Sequence, residues 1–204
     1  IGLRFPQNFD SPYKAVNPSD FWRRWHMTLS GWLRDYLFIP LGGSRSTTWF
    51  TVRNLMITFL LGGLWHGPAW TFVFWGLLWG FYQSVHVVAK KYGFAPTWVW
   101  LNRILTFLAA VVAWVFFRAS SLRAAKDVLE SMVGLQGVSG GDILPVAPLL
   151  AAFIVGGLLW VNLLPNSWEI QPRPRLRYAL VLGILLAGAL LALSKPSPFL
   201  YVQF

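Results

Sequence analysis

Apolar residues in this chain are grouped into long runs separated by short polar segments, which is the pattern of a membrane protein. The first run covers residues 55–66. It is shorter than the roughly 20 residues that cross a bilayer, although it can begin at Trp49 if Arg53 reaches back to the interface. Further runs follow at residues 69–89, 98–117, 148–164 and 178–193. The pattern predicts an all-α fold, a polytopic transmembrane helix bundle with about five membrane runs.

Residues 20–38 show a different pattern, in which an aromatic stripe and a basic, polar stripe alternate at helical spacing. Asn17-Pro18 followed by Asp20 is typical of a helix start, because it supplies a capping side chain, an early proline and an acid at the positive end. We therefore expect an N-terminal amphipathic helix that lies in the membrane interface. A shorter amphipathic helix is predicted at residues 121–133, in the polar connection between the third and fourth runs.

Composition supports the membrane interpretation and narrows the chemistry. The chain of 204 residues is 56% hydrophobic and 12% charged, whereas soluble domains are about 45–50% apolar and about 25% charged. Thirteen Trp fit interfacial aromatic belts. The absence of Cys excludes disulfides, thiol chemistry and Cys-ligated metals, and the three His show no metal-binding spacing.

The net charge of +10 is explained by membrane topology, so no nucleic-acid partner is expected. Basic residues cluster in residues 1–53, 90–103 and 173–177, whereas the 118–147 connection carries no net charge. The positive-inside rule then places the N-terminal region and the basic clusters in the cytoplasm and the C-terminus outside. This distribution favours five crossings and leaves open whether the first run crosses completely.

Residues 61–68, Leu-Gly-Gly-Leu-Trp-His-Gly-Pro, place one imidazole, that of His66, in an otherwise non-titratable apolar run. Ionisable residues at such depth are rare and often mark function. Gly62 and Gly63 leave bare backbone beside the ring, which we expect to give room for a substrate, and the Gly-Pro pair disfavours further helix. A neutral imidazole there can accept a proton from a hydroxyl. The alternative is an interior histidine that only hydrogen-bonds between helices.

Other polar residues are weaker candidates. His26 falls on the aromatic side of the amphipathic helix, either as a second polar group at the same cavity or as part of a membrane anchor. His86, near the end of a run, is expected to have an interfacial or packing role. Arg23, Arg24 and Arg34 are typical of lipid-headgroup contacts, although a phosphate-bearing acyl donor could also use them.

Two segments resemble hallmark motifs of the membrane-bound O-acyltransferase (MBOAT) family. They are Phe-Trp-Arg-Arg-Trp-His-Met-Thr-Leu-Ser-Gly-Trp-Leu-Arg-Asp-Tyr-Leu at 21–37, and Asn54 followed by Leu-Leu-Gly-Gly-Leu-Trp-His-Gly at 60–67. Residues 114–119 and 198–204 are similar to the bacterial alginate O-acetyltransferase branch, and the teichoic-acid D-alanyl transferase is a more distant relative. The resemblance covers nearly the whole chain and is weakest over 119–195.

The resemblance implies a polytopic membrane enzyme that transfers an acyl group to a hydroxyl. His66 matches the family's invariant catalytic histidine, and His26 matches a second histidine position of the alginate branch. The resemblance further implies cytosolic acetyl-CoA as the donor substrate, with no bound cofactor or metal. It also implies an exported polysaccharide acceptor, periplasmic acetyltransferase partner proteins, contact with membrane lipid and a location in the bacterial inner membrane.

We expect the chain to be the C-terminal part of one such membrane domain, because it opens without an initiator methionine and the family's N-terminal helices are absent. The expected parts are a cytoplasmic loop with the interfacial helix (1–53), the His-bearing helices and third span (54–118), an extracytoplasmic connection (119–147) and the last two spans with the tail (148–204). This part alone is expected to be inactive. Two alternatives stay open: a non-enzymatic transporter or scaffold, and an MBOAT enzyme that acylates a different hydroxyl.

Overall fold

A computed structural model describes residues 2, 5–137, 147–170 and 176–192, and every regular element in these ranges is helical. The all-α prediction is therefore confirmed for this part of the chain. Residues 1–164 and 165–204 form two compact units. Helices α1 to α7 belong to the first unit and α8, Leu176–Ala192, belongs to the second.

The N-terminal amphipathic segment is two short helices instead of one. Helix α1 covers Pro18–Arg24 and α2 covers Met27–Leu33, and a π-helical turn, Arg34–Phe38, follows directly. The predicted start is confirmed, because the Asn17 side chain accepts a hydrogen bond of 2.7 Å from the Asp20 N–H. The predicted continuous helix is wrong, because His26 has a left-handed backbone with φ of 42° that interrupts the helical path.

Helices α3, α4 and α5 cover Thr48–His66, Trp70–Lys91 and Val99–Arg118. Helix α3 therefore begins one residue before Trp49, the earlier start considered for the first apolar run, and it ends at His66 as the Gly-Pro pair predicts. Of the described helices, α4 and α5 are long and apolar enough to cross a membrane. Both correspond to runs predicted from hydrophobicity.

Helices α3 and α4 approach each other at glycines. A Cβ added to Gly63 would lie 2.3 Å from the Phe72 carbonyl oxygen, and one added to Gly76 would lie 2.4 Å from that of Phe59. No side chain fits at either position, so the two backbones are in direct contact. Our expectation that Gly62 and Gly63 provide room for a substrate is therefore wrong: α4 covers Gly63, and a Cβ on Gly62 would lie 3.3 Å from Leu33 Cδ1.

An aromatic core joins α1 to this helix pair. The Phe21 ring stacks on Trp79 at 4.7 Å, and Trp22 meets Phe59 and Trp75 edge to face at 5.1 and 5.8 Å. Trp79 and Phe21 are fully buried. Such contacts stabilise beyond their buried area by about 0.5–1.5 kcal/mol each. The core therefore holds the His26 segment against α3 and α4.

The later helices are exposed. Helix α6 covers Leu122–Met132 and confirms the predicted short amphipathic helix. Helix α7, Ala147–Leu163, and helix α8 match the fourth and fifth apolar runs, each with 17 residues. Nearly every side chain described on α7 and α8 is exposed. Residues 138–146, Arg173, Arg175 and the 198–204 segment lie outside the described residues.

Candidate active site

His66 lies at the C-terminal end of α3. The helix ends there because Gly67 has φ of 154°, a conformation open to glycine and unfavourable for other residues. The Gly67 N–H donates to the Leu64 carbonyl at 3.2 Å. The helix end thus satisfies one of its own carbonyl groups and fixes the point at which the imidazole leaves the chain.

Four aromatic rings surround the half-buried His66 imidazole. Its centroid lies 5.0 Å from Trp65, 5.1 Å from Trp75, 5.0 Å from Phe117 and 6.2 Å from Phe72, mostly edge to face. Phe117 comes from the last turn of α5, so three helices build this site. These four rings give the imidazole apolar neighbours, which favour the neutral form whose lone pair can accept a proton.

His26 is the N-terminal capping residue of α2. Its Nδ1 atom is buried and has no hydrogen-bond partner among the described residues. Burial lowers the pKa of His26 below its ordinary value of 6.5, so this imidazole is also neutral at neutral pH. An unpartnered buried ring nitrogen is costly, and the cost falls when a ligand or another part of the protein supplies the partner.

The structure brings these two predicted site residues to one indole. The Trp65 ring lies 6.5 Å from His26 and 5.0 Å from His66, measured between centroids. Two polar rings that are forty positions apart in the sequence therefore border one place in the fold.

Asn8 holds the His26 segment and was missed by sequence reasoning. Its carbonyl oxygen accepts from the Met27 N–H at 2.9 Å. Its side-chain oxygen accepts from the Thr28 N–H at 3.2 Å and from the Thr28 hydroxyl at 2.9 Å. The only signal in the sequence is an asparagine in a polar loop, which does not reveal a partner twenty residues away.

Trp75 and Phe117 were also missed. Each lies about 5 Å from the His66 ring, but nothing in the sequence separates this tryptophan from the other twelve. His86 is half-buried on α4, away from this site and consistent with the packing role expected for it. The described residues contain no group of three His, Cys, Asp or Glu that could hold a metal ion.

Comparison with known proteins finds relatives that are named as an O-acetyltransferase, an O-acetylase or a D-alanyltransferase. The chain is 51% identical over 143 residues to a peptidoglycan O-acetyltransferase of Helicobacter pylori, a match covering 68% of this chain and 27% of that protein. It is 42% identical over 162 residues to a probable alginate O-acetylase of Azotobacter vinelandii, covering 76% of this chain and 32% of the relative. A teichoic acid D-alanyltransferase of Bacillus subtilis is 34% identical over 128 residues, covering 57% and 31%.

The chain spans only part of the curated relatives that it matches, namely 27% of the first and 32% of the second. A relative from Pseudomonas putida, also a probable alginate O-acetylase, is 35% identical over the whole of this chain, which spans 47% of it. Residues 1–123, which include both histidines of the site, match the profile of the membrane-bound O-acyltransferase family. This chain therefore belongs to the membrane-bound O-acyltransferase family.

Proposed function

We propose that the complete protein is a membrane O-acyltransferase that moves an acetyl group from cytosolic acetyl-CoA to hydroxyls of an exported polysaccharide such as alginate. The observation that carries this proposal is the placement of His66. A neutral imidazole at the end of a helix, enclosed by four aromatic rings and close to a second imidazole, is suited to general-base chemistry. The family membership makes acyl transfer the reaction class.

The proposed reaction uses His66 as its general base. His66 accepts the proton of the acceptor hydroxyl while the oxygen attacks the thioester carbonyl carbon. The new C–O bond forms, the C–S bond breaks, and the proton passes to the departing thiolate. The aromatic surroundings limit water at this point, which suppresses hydrolysis of the donor. His26 borders the same indole and supplies a second polar ring that can hydrogen-bond to a reactant.

The proposed location of the protein rests on the distribution of its basic residues and on its family. We place the protein in the bacterial inner membrane, with five crossings and the basic N-terminal region in the cytoplasm, because basic residues mark the cytoplasmic side. Acetyl-CoA then reaches His66 from the basic side, and the acceptor polysaccharide reaches it from the opposite side. In the alternative route, a periplasmic acetyltransferase partner protein completes the transfer to the sugar. The relatives' names support a polymer acceptor, since they state alginate, peptidoglycan and teichoic acid.

A second candidate acceptor is peptidoglycan. It is favoured by the relative from Helicobacter pylori, which carries that polymer in its name at 51% identity. The proposed base and donor are the same for both acceptors. Offering each polymer to the full-length protein with its partners distinguishes them by which one becomes acetylated.

The proposed base is tested in the full-length protein. His66→Gln keeps hydrogen bonding but cannot act as a base, so acetyl transfer from labelled acetyl-CoA should fall by about 10²–10⁴. His86→Gln is the matched control and should transfer at the wild-type rate. Normal transfer by a folded, inserted His66→Gln protein would contradict the assignment and favour a transporter or scaffold.

A further inference from the structure

A cavity of about 510 Å³ lies between the α1–α2 segment and the α3–α4 pair, a size within the roughly 300–1,000 Å³ typical of ligand pockets. Its walls are largely apolar and include Trp22, Leu33, Phe38, Leu55 and Phe59. The proposed base, His66, is not among its lining residues. Thr58 lines it and precedes His66 by eight residues, which is about 12 Å along the helix axis.

The charged residues that line this cavity are both arginines, Arg23 and Arg34, and no carboxylate lines it. Arg34 donates to Asp35 at 2.7 and 3.1 Å, which uses two of the five donors of a guanidinium. Arg23 has no ion pair with any described carboxylate. Asp35 neutralises the charge of Arg34, so the unpaired positive charge beside the apolar walls is that of Arg23, and Arg34 adds its three remaining donors.

The neutral polar groups of the lining already have partners within the protein. Ser19 Oγ donates to Gln83 Oε1 at 2.7 Å, and Gln83 Nε2 donates to the Pro18 carbonyl at 3.0 Å, so these groups satisfy each other. Trp22 is over nine-tenths buried and contributes an apolar wall. An anionic oxygen in the cavity would therefore be held by the arginines, and bonds to charged donors are the strong ones.

One more cation continues from this cavity along α4. Lys90 follows Gln83 by two helical turns, on the same side of the helix. Basic pockets between membrane helices typically bind anionic lipid head groups, and apolar walls bind acyl chains at about 0.8 kcal/mol per buried CH₂.

We propose that this cavity binds an anionic phospholipid, with its phosphate at Arg23 and Arg34 and an acyl chain against the apolar walls. A soluble phosphate ester would bind the arginines but would leave the apolar walls exposed to water, so a lipid fits the cavity better. The lipid would tie α1 and α2 to the α3–α4 pair from the basic side. This site is independent of the proposed acyl transfer, since no acyl group is exchanged at it.

The head-group contact is tested with the purified full-length protein titrated with phosphatidylglycerol and with phosphatidylcholine, with bound lipid counted by native mass spectrometry. The wild type should prefer phosphatidylglycerol. The double variant Arg23→Gln/Arg34→Gln should bind it at least about tenfold more weakly, a loss of about 1.4 kcal/mol. The matched control Arg45→Gln/Arg118→Gln should bind as the wild type does. Equal binding of the two lipids by the wild type, or unchanged binding by the double variant, would overturn the proposal.

The chain contact is tested by filling the cavity. Gly31 lines it, and a Cβ added there meets nothing within 4 Å, so Gly31→Leu should occupy the space with both arginines intact. Bound phosphatidylglycerol should then fall, whereas Gly156→Leu on α7, also in open space, should change nothing. Retention of lipid by Gly31→Leu would contradict the proposal. Displacement of the lipid by acetyl-CoA would assign the cavity to the soluble donor instead.

Discussion

The α3–α4 turn carries His66 and the α1–α2 kink carries His26, and each region places an imidazole against Trp65. The α3–α4 turn is held by packing, with glycine backbones in contact and aromatic rings around the histidine. The kink is held by hydrogen bonds from the Asn8 loop around a left-handed residue. The α3–α4 contact leaves no room for a Cβ at Gly63 or Gly76. The His26 kink can lose one hydrogen bond and adjust its backbone.

This difference ranks the two regions by sensitivity to change. Contact between helix backbones is lost entirely when a side chain separates them, because interiors are close-packed. A hydrogen-bonded loop loses only about 0.5–1.5 kcal/mol for each bond removed. Substitutions should therefore have large, cooperative effects at the α3–α4 contact and small, graded effects at the His26 kink.

The largest effect is expected for Gly63→Val in the full-length protein. Its Cβ would lie 2.3 Å from the Phe72 carbonyl oxygen, so α3 and α4 must separate, which costs at least the roughly 1–3 kcal/mol of an overpacked core. Thermal unfolding in detergent should shift strongly downward, and acetyl transfer should be lost with it. Gly188→Val on α8, where a Cβ meets nothing within 4 Å, is the control. Wild-type stability of Gly63→Val would show that the helices are not in backbone contact.

His26→Ala should reduce acetyl transfer by roughly tenfold, which corresponds to about 1.4 kcal/mol, the size of one hydrogen bond to a reactant. The loss should be smaller than for His66→Gln, because His26 is not the proposed base. Single-turnover kinetics with labelled donor measures both variants side by side. A loss as large as that of His66→Gln would make the two imidazoles equal partners, and unchanged transfer would return His26 to an anchoring role.

Asn8→Ala should lower the free energy of unfolding by about 1 kcal/mol. The side-chain oxygen loses its two bonds to Thr28, at 2.9 and 3.2 Å, whereas the backbone bond to Met27 remains. Both bonds are exposed, so water replaces part of what is lost. Gln7→Ala, whose side-chain amide bonds only within its own loop, is the neighbour for comparison. If Gln7→Ala lowered the free energy of unfolding as much as Asn8→Ala, Asn8 would have no specific role.

An effect of similar size on stability, with no effect on acetyl transfer, is expected from backbone strain at the kink. His26→Gly should be more stable than His26→Ala by about 1 kcal/mol, because only glycine adopts φ of 42° without a Cβ penalty. Both variants lack the imidazole, so their acetyl transfer should be equal. Chemical unfolding of the two proteins in detergent measures the difference. Greater stability of the alanine variant would show that the segment is not left-handed in the membrane.

Element positions were predictable from the sequence, because membrane helices follow hydrophobicity and end at glycine and proline. Helix α3 stops at His66 just before the Gly-Pro pair, and α6 falls within residues 121–133. The helix break at His26 was not predictable, because residues 20–38 have continuous helical periodicity and the residues just after the break bond to Asn8, which is distant in the sequence. Local pattern cannot report a bond made across twenty positions.

The two histidines proposed for the site come from the sequence, whereas the residues around them come from the fold. His66 and His26 stand out because ionisable residues are rare in apolar sequence. The role of Gly62 and Gly63 was misread, since bare backbone is equally suited to a substrate or to another helix, and only the fold shows that α4 and Leu33 occupy the space. The Arg23 cavity was missed because its walls come from separate elements.

The turn between α3 and α4 has a consequence for the order of assembly. Only residues 67–69 separate the two helices, so their contacts are among the most local in the chain, and local contacts form early. The hairpin can close as soon as α4 has left the ribosome, before α5 supplies Phe117. The proposed base would then be set at a preformed helix tip during synthesis, and later helices would add its walls.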